Sequence, residues 1–141
     1  MSENNVIVSL HPAFLERMQE MLGEEYDSFI KSYELPRTYG LRVNTSKISP
    51  ETFEEMVPFP ITPIPWITKG YFYPEEVRPS RCAFYQGGLY YLQEPSAMTP
   101  ASVLPVDEGD YVLDLCAAPG GKATALGDAL HGTGLLVAND I

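Results

Sequence analysis

The sequence predicts an α+β lobe over residues 1–86 followed by the first part of a Rossmann-like α/β domain over residues 87–141. In the first part, apolar residues recur at helical spacing and are followed by a strand pattern and a proline-rich stretch. In the second part a strand, a helix and a strand follow one another, a unit that forms a parallel sheet with a right-handed crossover. A chain of 141 residues suffices for one ordinary domain but not for two complete ones.

The first third of the chain is predicted to be helical. Pro12 suits a first helical position, and apolar residues then recur every three or four positions until Gly23 offers a stop. A second helix is expected from Tyr26 to Tyr33, and the Leu35–Pro36 step should end it, because the residue before a proline disfavours helical backbone. Both apolar stripes are expected to be core rather than a binding site.

A strand, a capped helix and an extended connector are predicted next. Residues 40–45 read as a strand, and Ser49 followed by Pro50 and Glu51 is typical of a helix N-terminus. This helix should run to about Val57. The four prolines between positions 58 and 65 keep that stretch extended and exclude it from the centre of a sheet. The aromatic residues that follow are expected to belong to a small sheet rather than to stack on RNA bases, because few basic residues interleave with them.

The second part contains the elements of the Rossmann-like unit. A strand is predicted at residues 89–93, a helix at 96–104 and a turn at 107–110. Two short buried strands, at 111–115 and 134–138, then flank a helix from Gly121 to His131. In parallel sheets of this kind, ligands bind beyond the C-terminal ends of the strands.

Composition limits the classes to which the protein can belong. No apolar run reaches the roughly 18 residues of a membrane span, and the start, Met1 to Asn5, shows no basic segment followed by an apolar core. The two cysteines, Cys82 and Cys116, form no CxxC pair, and the two histidines give no credible metal cluster. We therefore expect a cytoplasmic protein without a membrane or metal partner.

The charge balance argues against RNA binding by this chain alone. It has 19 acidic and 9 basic side chains, for a net charge of -10, and no segment is basic. A self-sufficient nucleic-acid binder usually carries a basic face that neutralises phosphates. On composition alone the chain should bind RNA poorly.

The segment between the first late strand and its helix is the most informative part of the sequence. Small residues there let a ligand approach the backbone, a proline fixes one dihedral angle, and the first helical turn offers free N–H groups to an anion. Lys122 follows in that turn, where the helix dipole disfavours a cation by roughly 0.3–1 kcal/mol, which indicates an anionic ligand nearby. We call this segment the glycine bend; its residues are Cys116, Ala117, Ala118, Pro119, Gly120 and Gly121.

Spacing separates three ligand chemistries for the glycine bend. A phosphate-binding P-loop would need a glycine at Cys116 and a hydroxyl at Ala123. The dinucleotide fingerprint fails because Gly120 and Gly121 are adjacent and no third glycine has the required offset. An adenosyl ligand remains, and Asp140, just past the second strand, stands where a Rossmann-like unit places the acid that binds ribose hydroxyls.

These motifs resemble the Nop/Sun family of RNA cytosine-C5 methyltransferases, in particular its bacterial rRNA methyltransferases, which use S-adenosylmethionine. The resemblance rests on Asp114 to Lys122, on Tyr91 to Ser96 and on Arg42 to Thr45, which is similar to a motif of the family's N-terminal domain. It implies a class I methyltransferase fold for the second domain and RNA, rRNA rather than tRNA, as partner. It also implies that Cys116 to Lys122 surround the methionine part of the cofactor, that Asp140 holds the ribose, and that rRNA processing is the biological setting.

The residues that would perform the methyl transfer are not among these motifs. The family's two catalytic cysteines lie in motifs downstream of the cofactor loop, and the sequence ends at Ile141. Cys116 belongs to the loop and Cys82 matches no catalytic motif, so no catalytic residue is assigned.

We therefore expect an inactive N-terminal portion of a longer enzyme, since two strands of a doubly wound sheet cannot close a cofactor site. The rest of such an enzyme would also supply the basic surface. The alternative is a non-catalytic RNA-binding or assembly module with a degenerate cofactor loop. A nucleotide hydrolase is disfavoured by the spacing of the bend.

Overall fold

The structure, a computed structural model, describes residues 10–141, and its internal contacts divide the chain into two units, Met1–Arg37 and Thr38–Ile141. Residues 1–9, on which the expectation of no targeting segment depends, lie outside the described part. None of the described helices is both long and apolar enough to cross a membrane. Nor do three or more His, Cys, Asp or Glu side chains gather to hold a metal ion within residues 10–141.

The first unit contains the two predicted helices, α1 (Pro12–Leu22) and α2 (Tyr26–Ser32), joined by a 3-10 turn. The chain enters α1 through His11, whose ring accepts a hydrogen bond from the Ala13 N–H at 3.2 Å, and Pro12 takes the first helical position as predicted. The two apolar stripes meet through Phe14 and Phe29, whose ring centroids are 6.3 Å apart. No residue of either helix is fully buried, so the stripes form a small packed cluster rather than a closed core.

The second unit begins with a four-stranded antiparallel sheet in the order β2-β3-β1-β4. The strands are β1 (Tyr39–Val43), β2 (Thr62–Pro63), β3 (Gly70–Tyr73) and β4 (Tyr90–Leu92). β2 lies at the edge, which confirms that the proline-rich stretch is extended but not central. In the register of the sheet, Leu41 pairs with Tyr71 on one side and with Leu92 on the other.

A capped helix covers this sheet. α3 (Pro50–Met56) begins as predicted, because the Ser49 hydroxyl accepts a hydrogen bond from the Thr52 N–H at 3.2 Å. Its Phe53 side chain is fully buried in the core of the sheet. The buried residues of that core are Leu41, Val43, Phe53, Tyr71 and Tyr90.

The strand predicted at residues 89–93 is present as β4 and pairs with β1. It therefore belongs to the same sheet as residues 39–43, and the domain boundary at residue 86 stays a prediction. A 3-10 turn (Pro79–Arg81) and the short α4 (Ala83–Gln86) precede β4, and α5 (Pro95–Val103) follows it.

The last elements form the predicted parallel unit. β5 (Tyr111–Asp114), α6 (Gly121–Ala129) and β6 (Leu135–Ala138) follow in order, and Leu113 pairs in parallel with Val137. α6 packs on one face of the two strands. The fold class is therefore confirmed as an α+β region that leads into a Rossmann-like unit.

The parallel strands are covered on one face only. Their apolar pattern predicts buried strands whose apolar faces need further neighbours, and in this chain Leu113 and Val137 are 60% and 47% exposed, with Tyr111 and Leu135 exposed as well. These side chains alternate with those that α6 covers, because successive residues of a strand point to opposite faces. Nothing in the described residues packs over their face.

Candidate cofactor-binding site

The glycine bend connects the end of β5 to the start of α6 and lies against the tip of β6. The Ala117 N–H donates to the carbonyl of Asn139 at 3.0 Å, and the Asn139 N–H donates to the carbonyl of Asp114 at 2.8 Å. These two backbone hydrogen bonds join the ends of both parallel strands. The structure thus brings together the two segments that the sequence singled out.

Asp140 turns toward the glycine bend. Its Oδ2 atom accepts a hydrogen bond from the Ala118 N–H at 2.8 Å, and its Oδ1 atom accepts one from the Ile141 N–H at 2.9 Å. The side chain is otherwise exposed. Because a carboxylate oxygen has two lone-pair sites, each oxygen of Asp140 can accept a further hydrogen bond from a ligand hydroxyl.

Gly120 gives the bend its shape. It precedes the first residue of α6 with φ at 110°, in the left-handed region that a side chain disfavours. Its N–H donates to the carbonyl of Ala117 at 2.7 Å, which closes the turn. A Cβ atom at this position would meet nothing closer than the Tyr91 hydroxyl at 3.7 Å. The requirement for glycine at this position is therefore one of backbone conformation.

Most of the bend is open to a ligand. Cys116, Ala118 and Pro119 are exposed, and Ala117 is half-buried. Lys122, in the first turn of α6, is also half-buried. The bend is thus not packed shut against the protein, as a cofactor cradle requires.

Gly121 differs from the rest of the bend. It is buried, and a Cβ atom there would lie 2.8 Å from Nε2 of Gln93. The close approach of the Gln93 side chain is therefore enough to require a glycine at position 121, and no bound ligand is needed to account for it.

Asp114 anchors the start of the bend and presents a free acceptor. Its Oδ1 atom accepts a hydrogen bond from the Cys116 N–H at 3.0 Å. Its Oδ2 atom is buried and has no hydrogen-bond partner among the described residues. A buried acceptor without a partner is costly, so a ligand with a donor group, such as an ammonium, would fit beside it.

The four-stranded sheet supports the bend through residues that sequence reasoning did not assign to the site. The Tyr91 hydroxyl donates to the carbonyl of Pro119 at 2.8 Å. Arg42, only 4% exposed, donates through Nη2 to Thr124 Oγ1 at 2.8 Å and to the carbonyl of Gly121 at 3.3 Å. The signal was present in the sequence, because Arg42 interrupts an apolar strand, and a charge in a buried strand needs partners.

A partly buried ion pair holds the other end of α6. Asp128 Oδ2 lies 2.5 Å from Lys69 Nζ and 2.5 Å from the Thr45 hydroxyl. Burial raises the pKa of Asp128, but the hydrogen bonds from Lys69 and Thr45 and the charges of Lys69 and Arg42 outweigh it, so that the pKa lies below its usual value. Burial also lowers the pKa of Arg42, an effect that the charge of Asp128 opposes.

A separate open pocket of about 440 Å³ lies on the sheet side of α6, lined among others by Arg42, Tyr91, Thr124 and Asp128. None of the residues of the glycine bend, nor Asp140, lines it. The openness of the glycine bend, the position of Asp140 beside it and the unpartnered Asp114 Oδ2 atom make the bend, rather than this pocket, the candidate cofactor site.

An open glycine bend with a carboxylate at the neighbouring strand tip, on a parallel strand–helix–strand unit, is typical of the Rossmann-like class of domains. Comparison with family models identifies the protein family to which the chain belongs. Residues 10–95 match the model for the N-terminal domain of 16S rRNA methyltransferase RsmF, and residues 101–141 match the model for 16S rRNA methyltransferase RsmB/F. The chain belongs to this family of rRNA methyltransferases, which confirms the family resemblance.

Curated proteins of this family are similar to the chain over most of its length. Ribosomal RNA small subunit methyltransferase F of Erwinia tasmaniensis is 38% identical, over 92% of this chain and 29% of that protein. The protein of the same name from Vibrio campbellii is also 38% identical, over 94% of this chain and 30% of that protein. The chain therefore spans about 30% of the length of these curated relatives.

The fold is shared with a solved structure. The crystal structure of a methyltransferase homolog protein from Pyrococcus horikoshii superposes with a TM-score of 0.80 at 29% identity, over 92% of this chain and 44% of that chain. The N-terminal region and the parallel unit of the present chain thus occur together in a known methyltransferase homolog.

Proposed function

We propose that the protein is an S-adenosylmethionine-dependent RNA cytosine-C5 methyltransferase that acts on rRNA in the cytoplasm, and that this chain contributes its N-terminal region and cofactor site. The observation that carries the proposal is the hydrogen bond between the Ala118 N–H and Asp140. It brings the glycine bend and the strand-tip acid into one open cradle.

In this proposal, three features of the cradle bind two parts of the cofactor, its methionine portion and its ribose. The segment from Cys116 to Lys122 surrounds the methionine portion, whose carboxylate faces the free N–H groups at the start of α6. Asp114 Oδ2 accepts from the methionine ammonium, which satisfies its lack of a partner. Asp140 accepts hydrogen bonds from the ribose hydroxyls. The residues present fit the charge and hydrogen-bonding pattern of this cofactor.

The described residues bind and orient the cofactor but do not supply the nucleophile. When bound, S-adenosylmethionine provides a methyl group on a sulfonium. Methylation of cytosine at C5 requires a thiolate that reaches a flipped-out base. Cys116 is part of the cradle itself, and Cys82 is half-buried beside Tyr90. We therefore propose that the 141-residue chain has no methyltransferase activity by itself.

The proposed substrate rests on the family. The curated relatives are named ribosomal RNA methyltransferases, which favours rRNA over tRNA. The net charge of -10 gives this chain little phosphate affinity of its own. The proposal therefore assigns most RNA affinity to other parts of the intact protein, and it includes neither a membrane nor a metal partner.

The cofactor assignment is tested by calorimetric titration of S-adenosylmethionine into the intact protein and two variants. Asp140→Ala removes the proposed ribose acceptor, and we expect about tenfold to hundredfold weaker binding. Gly120→Val forces a branched side chain into a left-handed backbone position, and we expect binding to be lost.

Matched controls separate the site from general stability. Gly109 has a φ of 88° and lies in the turn before β5, so that Gly109→Val carries the same backbone strain at the opposite end of the strand. Asp107→Ala removes an exposed acid near that turn. Both controls should bind like the wild type. Unchanged affinity in both site variants would overturn the assignment, and a wild type that binds no cofactor would support the non-catalytic module instead.

A further inference from the structure

We infer that Arg42, Tyr91 and Gln93 are positioning residues, which hold the glycine bend in its ligand-binding shape from the antiparallel sheet and from the residue directly after β4. The inference rests on the proposed cofactor site and extends it to the sheet, whose residues do not touch the cofactor in that proposal. It gives the N-terminal sheet a role in cofactor affinity in addition to its structural one.

Arg42 and Tyr91 act on the bend from adjacent strands. They are direct partners in the register of β1 and β4, so that their side chains leave the same face of the sheet. Tyr91 donates to the carbonyl of Pro119, and Arg42 donates to the carbonyl of Gly121. Two carbonyls on either side of Gly120 are thus held by one cross-strand pair.

These contacts orient the donors of the bend. In a planar trans peptide, the N–H points away from the carbonyl oxygen of the same peptide group. Holding the Gly121 carbonyl on the side of Arg42 therefore directs the Lys122 N–H to the opposite side. Holding the Pro119 carbonyl likewise fixes the Gly120 N–H toward Ala117. The sheet thus sets the direction of the groups that would meet an anionic ligand.

Gln93 supports the bend by packing. Its amide fills the space where a Cβ atom of Gly121 would lie, and its Nε2 atom is fixed by a hydrogen bond to the carbonyl of Ala97 at 2.8 Å. The side chain is thus held between α5 and the first residue of α6. Gly121 allows α6 to approach this support closely.

Contacts from the antiparallel sheet and its loops also fix the position of the whole α6 helix. Near the C-terminal end of the helix, Asp128 is bound by Lys69 and Thr45 from loops next to β3 and β1. At the N-terminal end, Arg42 binds Thr124. Because side chains from the sheet unit bind both ends of α6, the helix cannot tilt without breaking polar contacts. The sheet unit therefore fixes the positions of the first N–H groups of α6.

Tyr91→Phe in the intact protein tests the inference, because it removes one hydroxyl and keeps the ring. Tyr90→Phe is the matched control. The Tyr90 hydroxyl also donates to a carbonyl, that of Pro79 at 2.7 Å, but on the other side of the same strand and away from the bend. Both variants lose one hydrogen bond from one strand, and they differ in whether the bond reaches the bend.

For Tyr91→Phe we expect the Kd and KM for S-adenosylmethionine to rise about threefold to tenfold, with kcat and Tm close to the wild type. For Tyr90→Phe we expect a lower Tm and unchanged cofactor affinity. The inference is overturned if Tyr91→Phe binds as tightly as the wild type, or if Tyr90→Phe weakens binding equally.

Amide hydrogen exchange without cofactor separates this inference from the proposed function. We expect faster exchange at residues 116–122 in Tyr91→Phe than in the wild type or in Tyr90→Phe. If the wild type binds no cofactor, the proposed function fails, but faster exchange would still show that Tyr91 orders the bend. Equal exchange in all three proteins would refute the positioning role whatever the binding result.

Discussion

Lys69 and Asp128 form an ion pair of 2.5 Å that joins the loop before β3 to α6, with the Asp128 side chain 4% exposed. The carboxylate also accepts from Thr45, while its Oδ1 atom is buried without a hydrogen-bond partner among the described residues. A partly buried pair of this kind adds little net stability by itself, but the loss of Lys69 would leave the buried Asp128 charge without its partner. The pair therefore fixes the position of α6 more than it adds to stability.

Asp128→Asn should destabilise the protein by about 1–3 kcal/mol, because Lys69 and Arg42 lose their compensating charge. The pKa of Asp128 is lowered in the folded protein, so this carboxylate contributes stability above the ordinary pKa. That contribution is lost as the pH falls through 3.8 toward the folded pKa. Urea unfolding between pH 3 and pH 7 should show a flatter pH profile in Asp128→Asn; an unchanged slope would contradict the lowered pKa.

Phe53→Ala should lower the free energy of unfolding by about 3–5 kcal/mol. The side chain is fully buried between Tyr71 and Tyr90, with ring centroids 6.0 and 5.5 Å away, and its loss leaves a cavity in the sheet core. Met56→Ala on the same helix is the control, because Met56 is half exposed and should cost less than 1 kcal/mol. Similar losses in both variants, measured by denaturant unfolding, would refute this account of the core.

Cys116 should react with iodoacetamide faster than Cys82 in the native protein, and S-adenosylmethionine should protect it. Cys116 is exposed in the bend, whereas Cys82 is half-buried. Alkylation resolved by peptide mass spectrometry measures both thiols in one sample. A rate at Cys116 that saturating cofactor leaves unchanged would argue against binding at the bend.

The exposed face of β5 and β6 should bind a hydrophobic dye in the 141-residue chain. Its apolar side chains are Tyr111, Leu113, Leu135 and Val137. Contiguous apolar surface of this kind promotes association. We expect Leu113→Gln with Val137→Gln to reduce dye fluorescence and self-association in sedimentation. Met21→Gln with Leu35→Gln, at exposed apolar positions of the first unit, is the control and should leave both signals unchanged.

Local signals account for the elements that the sequence predicted well. Ser49 with Pro50 fixes the start of α3, and Gly120 before Gly121 fixes the start of α6, because cap and turn chemistry depends on a few neighbouring residues. The glycine bend and Asp140 could be paired from sequence because the C-terminal ends of parallel strands share one edge of the sheet.

Contacts between distant residues were beyond local reasoning. Arg42 reaches Gly121 across 79 positions, and the pairing of β4 with β1 rather than with β5 depends on tertiary packing. The strand pattern of residues 111–115 indicates burial on both faces, but burial also depends on neighbours that a strand cannot encode alone. A charged residue inside an apolar strand, such as Arg42, indicates from the sequence that a supporting contact of this kind exists.

The most direct test of the cofactor site is a crystal structure of the intact protein with S-adenosylhomocysteine. We predict its ribose hydroxyls within hydrogen-bonding distance of the Asp140 carboxylate and its carboxylate at the first turn of α6, with Asp114 Oδ2 beside the ammonium. Ligand density in the pocket next to Arg42 and Thr124, with the glycine bend empty, would contradict the account.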